Sequence, residues 1–362
     1  MKKMSKWTKR AVMIASVIGI LIIAAMLIKS ALFPPYDGLP VSGSYAVETQ
    51  TFTWEDESRV ETFTDTGENR ALTVSFWYPS EEGEYPLVVF SHGAFGVIES
   101  NYSTYTELAS NGYVVASIGH PYHAMFVEDV NGKTTMVDME FFKQIYADNG
   151  EYSEESERQV YELSQEWMEL RSADMNFVLD TILEEAEQVK NAAGASSDKV
   201  FGLIDTTKIG LMGHSMGGAT AVQLGRERND ITAVIDLEGT MLGEYVGFEV
   251  YNEEPYPVPV LDVNSKAVRE DIATLEAEHP NWEYVNDYLG RNALDYREVI
   301  FNGAGHLNFT DLPMISPALA GLLGVGEVDA EECMKNVNEV VLTFFDFYLK
   351  GEGSLENIKA EY

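Results

Sequence analysis

The chain has 362 residues, 45% of them apolar, enough for a sizeable buried core in one large domain or two modest ones. Its single cysteine, Cys333, excludes an internal disulfide framework and any site built from several thiolates. The formal net charge of −35 argues against a nucleic-acid partner, whose phosphates such a surface repels.

The charge is unevenly spread. The first 29 residues carry Lys2, Lys3, Lys6, Lys9, Arg10 and Lys29 and no acid, so the remainder holds 18 basic against 59 acidic residues, a net charge of −41. Within that basic end, "AVMIASVIGILIIAAMLI" (11–28) has no charge. As a helix it would span about 27 Å, close to the hydrocarbon thickness of a bilayer. Five basic residues precede it and only Lys29 follows closely, an asymmetry that keeps the amino end in the cytoplasm. Residues 1–29 are therefore expected to be a cytoplasmic basic end and a single-pass cell-membrane anchor, with the acidic body outside the cytoplasm. The alternative is a cleaved signal peptide and a secreted protein, but no clear small-x-small site follows in "KSALFPPYDG". Residues 30–42 read as a linker and 43–362 as one domain.

That domain opens with "GSYAVETQTFTW" and "RALTVSFWYP", rich in β-branched and aromatic residues and expected to be strands. "PLVVFSHG" and "YVVASIGHP" are continuous apolar runs that suit buried parallel strands, with a short helix in "YSTYTELASNG" between them. Residues 122–151 lack strand–helix alternation yet contain the apolar "MVDMEFFKQIY", and are expected to be an inserted lid. Met125, Phe126, Met136, Met139, Phe141 and Phe142 would line an acyl or lipid pocket there, or simply cap the core. Val160, Leu163, Trp167, Leu170, Phe177 and Ile182 then mark a long helix. "KIGLM", "TAVIDLEG", "VPVLDVNS" and "REVIF" read as further strands, with helices at "MGGATAVQLGRER" and near "CMKNVNEVVLTFFDFYLKG". Alternating strands and helices predict an α/β domain, a mainly parallel sheet covered on both faces.

Gly213-His214-Ser215-Met216-Gly217 fits G-x-S-x-G, with a strand expected before it and a helix after. A serine at so sharp a turn needs small neighbours, which Gly213, Gly217, Gly218 and Ala219 supply. Ser215 is therefore the expected nucleophile, and a helix-capping serine is the alternative. Its base must titrate near neutrality, because a serine hydroxyl is barely ionised at pH 7. Of six histidines, His306 alone follows the last expected strand, in the glycine-containing turn "NGAGHLNF", which matches the Ser–acid–His order of α/β-hydrolases. Two aspartates stand near strand ends after Ser215: Asp236 in "AVIDLEG" and Asp262 in "VPVLDVNS", with Glu238 a weaker third. Position alone does not separate the two aspartates.

The pieces "FSHGAFG", "GHSMGGAT", "VIDLEG" and "GAGHLNFTD", in this order, together with "DTTKIGLMGHSMGG" and "LRSADMNFVLDTIL", resemble the platelet-activating-factor acetylhydrolase family of the plasma, isoform II type and its bacterial relatives. The resemblance spans roughly residues 70 to 350 and implies an α/β-hydrolase fold. It implies a serine carboxylic ester hydrolase working through an acyl-enzyme; that chemistry needs no cofactor, and "DVNGKTTMVD" lacks the ligand spacing of a calcium loop, so no metal is expected. It favours Asp236 over Asp262 as the acid. It makes Met216 and Ala94 the oxyanion donors by their backbone N–H groups, with Phe95 the runner-up, and places Phe95 and His214 at the substrate pocket. Implied substrates are small esters or short-chain phospholipids. Met216 departs from the bulky aromatic usual after the serine, which opens the acyl and leaving-group preference. Dienelactone hydrolases resemble the chain less and use cysteine. Peptidase, thioesterase and polyester hydrolase chemistry on the same scaffold, or a non-catalytic surface-binding module, are the alternatives.

Overall fold

A computed structural model describes residues 26–146, 154–191, 199–280 and 282–362. The expected membrane span lies outside the described residues except for 26–28, which belong to a helix ending at residue 32 (α1). Among the described residues no helix is long and apolar enough to cross a membrane.

The chain then runs β1 (Val47–Val60), β2 (Asn69–Pro79), β3 (Tyr85–Ser91), α2 (Tyr102–Ser110), β4 (Val114–Gly119), β5 (Phe126–Glu128), β6 (Thr134–Met136), α3 (Met139–Tyr146) and α4 (Glu154–Asn191). There follow α5 (Lys199–Gly202), β7 (Ile204–His214), α6 (Met216–Glu227), β8 (Ala233–Leu237), β9 (Tyr245–Gly247), β10 (Val250–Tyr251) and β11 (Val260–Ser265). The carboxyl-terminal part holds α7 (Lys266–Glu278), α8 (Val285–Asn292), β12 (Tyr296–Phe301), α9 (Leu312–Ile315), α10 (Pro317–Leu323) and α11 (Ala330–Phe345).

Eight strands form one sheet in the order β1-β2-β4-β3-β7-β8-β11-β12. β1 pairs antiparallel with β2 and β2 antiparallel with β4; every other pair is parallel. The sheet is thus mainly parallel, as its apolar strands predict. Every residue of β3 and β4 is buried, the signature of strands covered on both faces. Met175, Val178, Leu179 and Ile182 of α4 and Ala221 and Leu224 of α6 pack on one face. Tyr105 and Leu108 of α2 and Val337, Val341 and Phe345 of α11 pack on the other. The result is three layers, helix–sheet–helix, around a core on each side of the sheet.

Two elements differ from expectation. The buried stripe of α4 runs through Met168, Arg171, Asp174, Met175, Val178 and Ile182, while Val160 is exposed. Two ionic residues sit on that stripe, so an apolar periodicity does not trace it. The 122–151 segment contains a β5–β6 hairpin and α3. Met125, Phe126, Met136 and Met139 are exposed there, whereas Phe141 is buried against Met216, Met168 and Ala219. Residues 147–151 of the expected lid lie outside the described residues.

Candidate active site

The parallel strands end together at one edge of the sheet, and the candidate residues come from the loops leaving that edge. β7 delivers Ser215, which stands between the strand and α6 at φ 54°, ψ −127°. That is strained backbone for a residue with a Cβ, and it persists because the surroundings over-determine it. A Cβ on Gly217 would lie 1.9 Å from the Ser91 carbonyl oxygen, and one on Gly213 would lie 2.2 Å from the Gly217 carbonyl carbon. Only glycines let the β3 loop, the β7 end and the first turn of α6 approach so closely. The Ser215 N–H donates to Leu237 O at 2.9 Å, tying the turn to the end of β8. Its side chain makes no helix-capping hydrogen bond, so the capping alternative is not what the geometry shows.

His306 lies in the loop after β12. Asn308 Oδ1 accepts from Gly305 N at 2.9 Å and Gly326 N at 2.8 Å, fixing that loop. The His306 side chain is 43% exposed. His214 Nε2 donates to His306 O at 3.0 Å, and the two rings lie 4.6 Å apart between centroids. His214, expected at the substrate pocket, is buried and braces the His306 loop beside Ser215.

The structure brings neither expected aspartate to His306. His306 Nδ1 meets Glu238 Oε2 at 2.7 Å. Glu238 Oε1 also accepts from Ser265 N at 2.7 Å, which aims the carboxylate. Asp236 is fully buried, accepts from Gly239 N at 2.9 Å, and presses against Gly218, where a Cβ would come within 1.8 Å of Oδ1. Asp262 accepts from Tyr296 Oη at 2.6 Å and Asn286 Nδ2 at 3.2 Å. The two aspartates face each other in register across β8 and β11. Burial, then the Asp262 charge, raises Asp236 well above the carboxylate range; burial pushes Asp262 up to about 7. A carboxyl that prefers its neutral form is a poor partner for an imidazolium. The physical reason for the exchange is local. β8 ends at Leu237, and Glu238 turns the chain with φ 55°, so its longer side chain clears the sheet edge while Asp236 stays inside.

For an oxyanion, Met216 opens α6, where the first backbone N–H groups have no intrahelical acceptor. The second expected donor lies in the loop after β3. A Cβ on Gly93 would sit 3.1 Å from Ser215 Cβ, so this loop lies against the serine. Phe95 N–H donates to His123 O at 2.9 Å, which removes the runner-up donor and leaves Ala94 as the candidate. Phe95 itself packs with Ala94, Phe141 and Met216. A cavity of about 510 Å³, lined by Phe63, His123, Asp138, Phe141 and Trp167 among others, lies beyond Phe141; neither Ser215 nor His306 lines it. Among the described residues no cluster of three or more His, Cys, Asp or Glu side chains is placed to hold a metal ion.

These features define an α/β domain with a mainly parallel sheet, whose edge gathers a strained serine, a histidine and a carboxylate from successive loops. Residues 63–357 match the family model for platelet-activating factor acetylhydrolase, isoform II, and the chain belongs to that family. It is 28% identical over 278 residues to platelet-activating factor acetylhydrolase of Cavia porcellus, covering 75% of this chain and 59% of that protein. It is 26% identical over 283 residues to the Gallus gallus protein of the same name, covering 74% and 62%. The chain thus spans about three-fifths of the length of these relatives. Among solved structures, a ferulic acid esterase from Streptomyces cinnamoneus superposes with a TM-score of 0.61 at 23% identity, covering 87% of this chain and 93% of that one, which shows a shared fold.

Proposed function

We propose that the chain is an α/β-hydrolase that cleaves short-acyl carboxylic esters, short-chain phospholipids among them, through an acyl-enzyme on Ser215. The observation that carries this reading is the 2.7 Å His306–Glu238 hydrogen bond, on an exposed imidazole whose loop is tied to the residue preceding Ser215. Ser215 Oγ attacks the ester carbonyl carbon and its proton passes to His306 Nε2. Glu238, acceptor-only, fixes the Nδ1–H tautomer and stabilises the imidazolium that forms. The tetrahedral oxyanion takes hydrogen bonds from Met216 N–H and Ala94 N–H. Collapse expels the alcohol, which leaves with the proton from His306. Water, giving a proton to His306 Nε2, then attacks the acyl carbon; the second tetrahedral intermediate collapses as His306 returns that proton to Ser215 Oγ, releasing the acid and free Ser215.

Phe141, Met168 and Phe95 fill the space beside Met216, which supports a small acyl group. The basic, then apolar, amino terminus supports an anchored protein with this domain outside the cytoplasm.

A substrate panel tests the reading. Acetyl and butyryl esters, including a phospholipid with a short second acyl chain, are expected to turn over well, and palmitoyl esters and anilides poorly. Intact cells bearing the full chain are expected to hydrolyse a membrane-impermeant acetyl ester. Preference for anilides or thioesters, or no turnover of any ester, would overturn the assignment.

A further inference from the structure

The loop after β3 rests on a buried polar assembly that the proposed chemistry does not use. His92 is fully buried, and its Nδ1 lies 2.7 Å from Gly93 O. A carbonyl only accepts, so Nδ1 carries the proton. Nε2 then offers a lone pair, toward which His120 N–H points at 3.4 Å. Arg171, also buried, donates from Nη2 to His92 O at 2.6 Å. Burial, followed by the Arg171 charge, lowers the His92 pKa well below the usual imidazole value, so the ring is neutral. Behind it, Ser91 Oγ and His120 Nε2 are 3.0 Å apart, and His120 Nδ1 lies 3.0 Å from Asp174 Oδ2. Arg70 clamps Asp174 through Nε and Nη2, each at 2.7 Å. Ser91, His120 and Asp174 have the residue types of a catalytic relay, but all three are fully buried, so no substrate reaches them.

We propose that His92 is a positioning residue for the second oxyanion donor: together with Gly96 N–H, which donates to the same oxygen at 3.0 Å, it holds the Gly93 carbonyl and so turns the Ala94 N–H toward Ser215. This rests on the ester-hydrolase reading above. The geometric link is the peptide plane. In a planar trans peptide the C=O of Gly93 and the N–H of Ala94 point in opposite directions, so fixing one aims the other. Gly93 itself lies against Ser215 and His214, as its blocked Cβ position shows. The space for the ring is equally specific, since a Cβ on Gly96 would lie 2.9 Å from His92 Cβ and 3.0 Å from Nδ1. The Phe95 N–H is already committed to His123 O, so the Gly93–Ala94 peptide is the part of the loop left to serve the oxyanion.

The test uses the full chain and three variants. His92→Leu removes the donor. His92→Asn places an amide N–H near the Nδ1 position, and His92→Gln places one nearer Nε2. His92→Leu is expected to lower kcat on an acetyl ester roughly 10- to 100-fold with KM little changed, the cost of misplacing a reacting group by about 1 Å. A boronic acid, which forms a tetrahedral adduct on the serine, is expected to bind more weakly by a similar factor, while a non-reacting ether analogue binds as before. His92→Asn is expected to restore most of kcat and His92→Gln little of it. If His92→Leu does not fold, the Asn-against-Gln comparison carries the test alone. Equal losses in Asn and Gln, or wild-type kcat in Leu, would overturn the positioning role. Ser215→Ala run alongside separates the two claims: its inactivity leaves the hydrolase reading standing whatever the His92 variants do, and its retained activity would overturn that reading itself.

Discussion

Ser215→Ala is expected to lower kcat/KM on an acetyl ester by about 10⁴- to 10⁶-fold, leaving only what substrate binding and the oxyanion donors supply. The loss falls on kcat, because the missing oxygen forms its bond only on the way to the transition state. The fold is expected to survive. The Ser215 side chain caps nothing, and the strained turn is held by the Ser215 N–H to Leu237 O bond and by the glycines around it, all of which alanine keeps. Steady-state kinetics with a thermal melt checks both halves: an unshifted melting temperature with lost turnover is the predicted pair. Turnover within tenfold of wild type would remove Ser215 from the chemistry.

The second large effect separates three carboxylates. Glu238→Gln is expected to lower kcat about 10³- to 10⁴-fold, the scale seen when a relay acid becomes an amide and the imidazole is left in the wrong tautomer. Asp236→Asn is expected to stay within about tenfold of wild type. Burial and the neighbouring Asp262 already favour the protonated Asp236 carboxyl, which an amide mimics, and Asn keeps the oxygen that Gly239 N–H needs. Asp262→Asn is expected to behave like Asp236→Asn, since its carboxylate is held by Tyr296 and Asn286 and burial pushes its pKa up to about 7. Kinetics on the three amide variants, side by side, ranks them. A Glu238→Gln loss smaller than that of Asp236→Asn would return the role to Asp236.

Much of the architecture was legible because buried parallel strands leave a plain trace. The runs in β3, β4, β7 and β8 are short, continuous and apolar, and each stops at a turn. The sharp turn at Ser215 is legible for a related reason: the glycines that crowd it are demanded by backbone contacts under 3 Å. Which carboxylate meets His306 is not legible in the sequence, because Asp236 and Glu238 stand two apart and share a side of the strand by parity. Only the positive φ of Glu238 carries its carboxylate past the edge, and a glutamate does not announce that conformation. A signal was present in Gly239, which leaves room for Asp236 to turn inward. Apolar periodicity places the α4 stripe off register because Arg171 and Asp174 occupy buried positions where an apolar residue is expected. Composition does not separate the exposed Met125, Phe126, Met136 and Met139 from the buried Phe141; the β5–β6 hairpin and the facing of α3 do. The hydrogen bond from His214 to His306 O is not legible either, because its acceptor stands 92 residues away in the sequence.

The most direct measurement is covalent. Incubating the protein with a fluorophosphonate and mapping the adduct by peptide mass spectrometry is predicted to place the phosphonyl group on Ser215, and to show slow labelling in His306→Ala. No adduct, or an adduct on another hydroxyl with Ser215 untouched, would contradict the account.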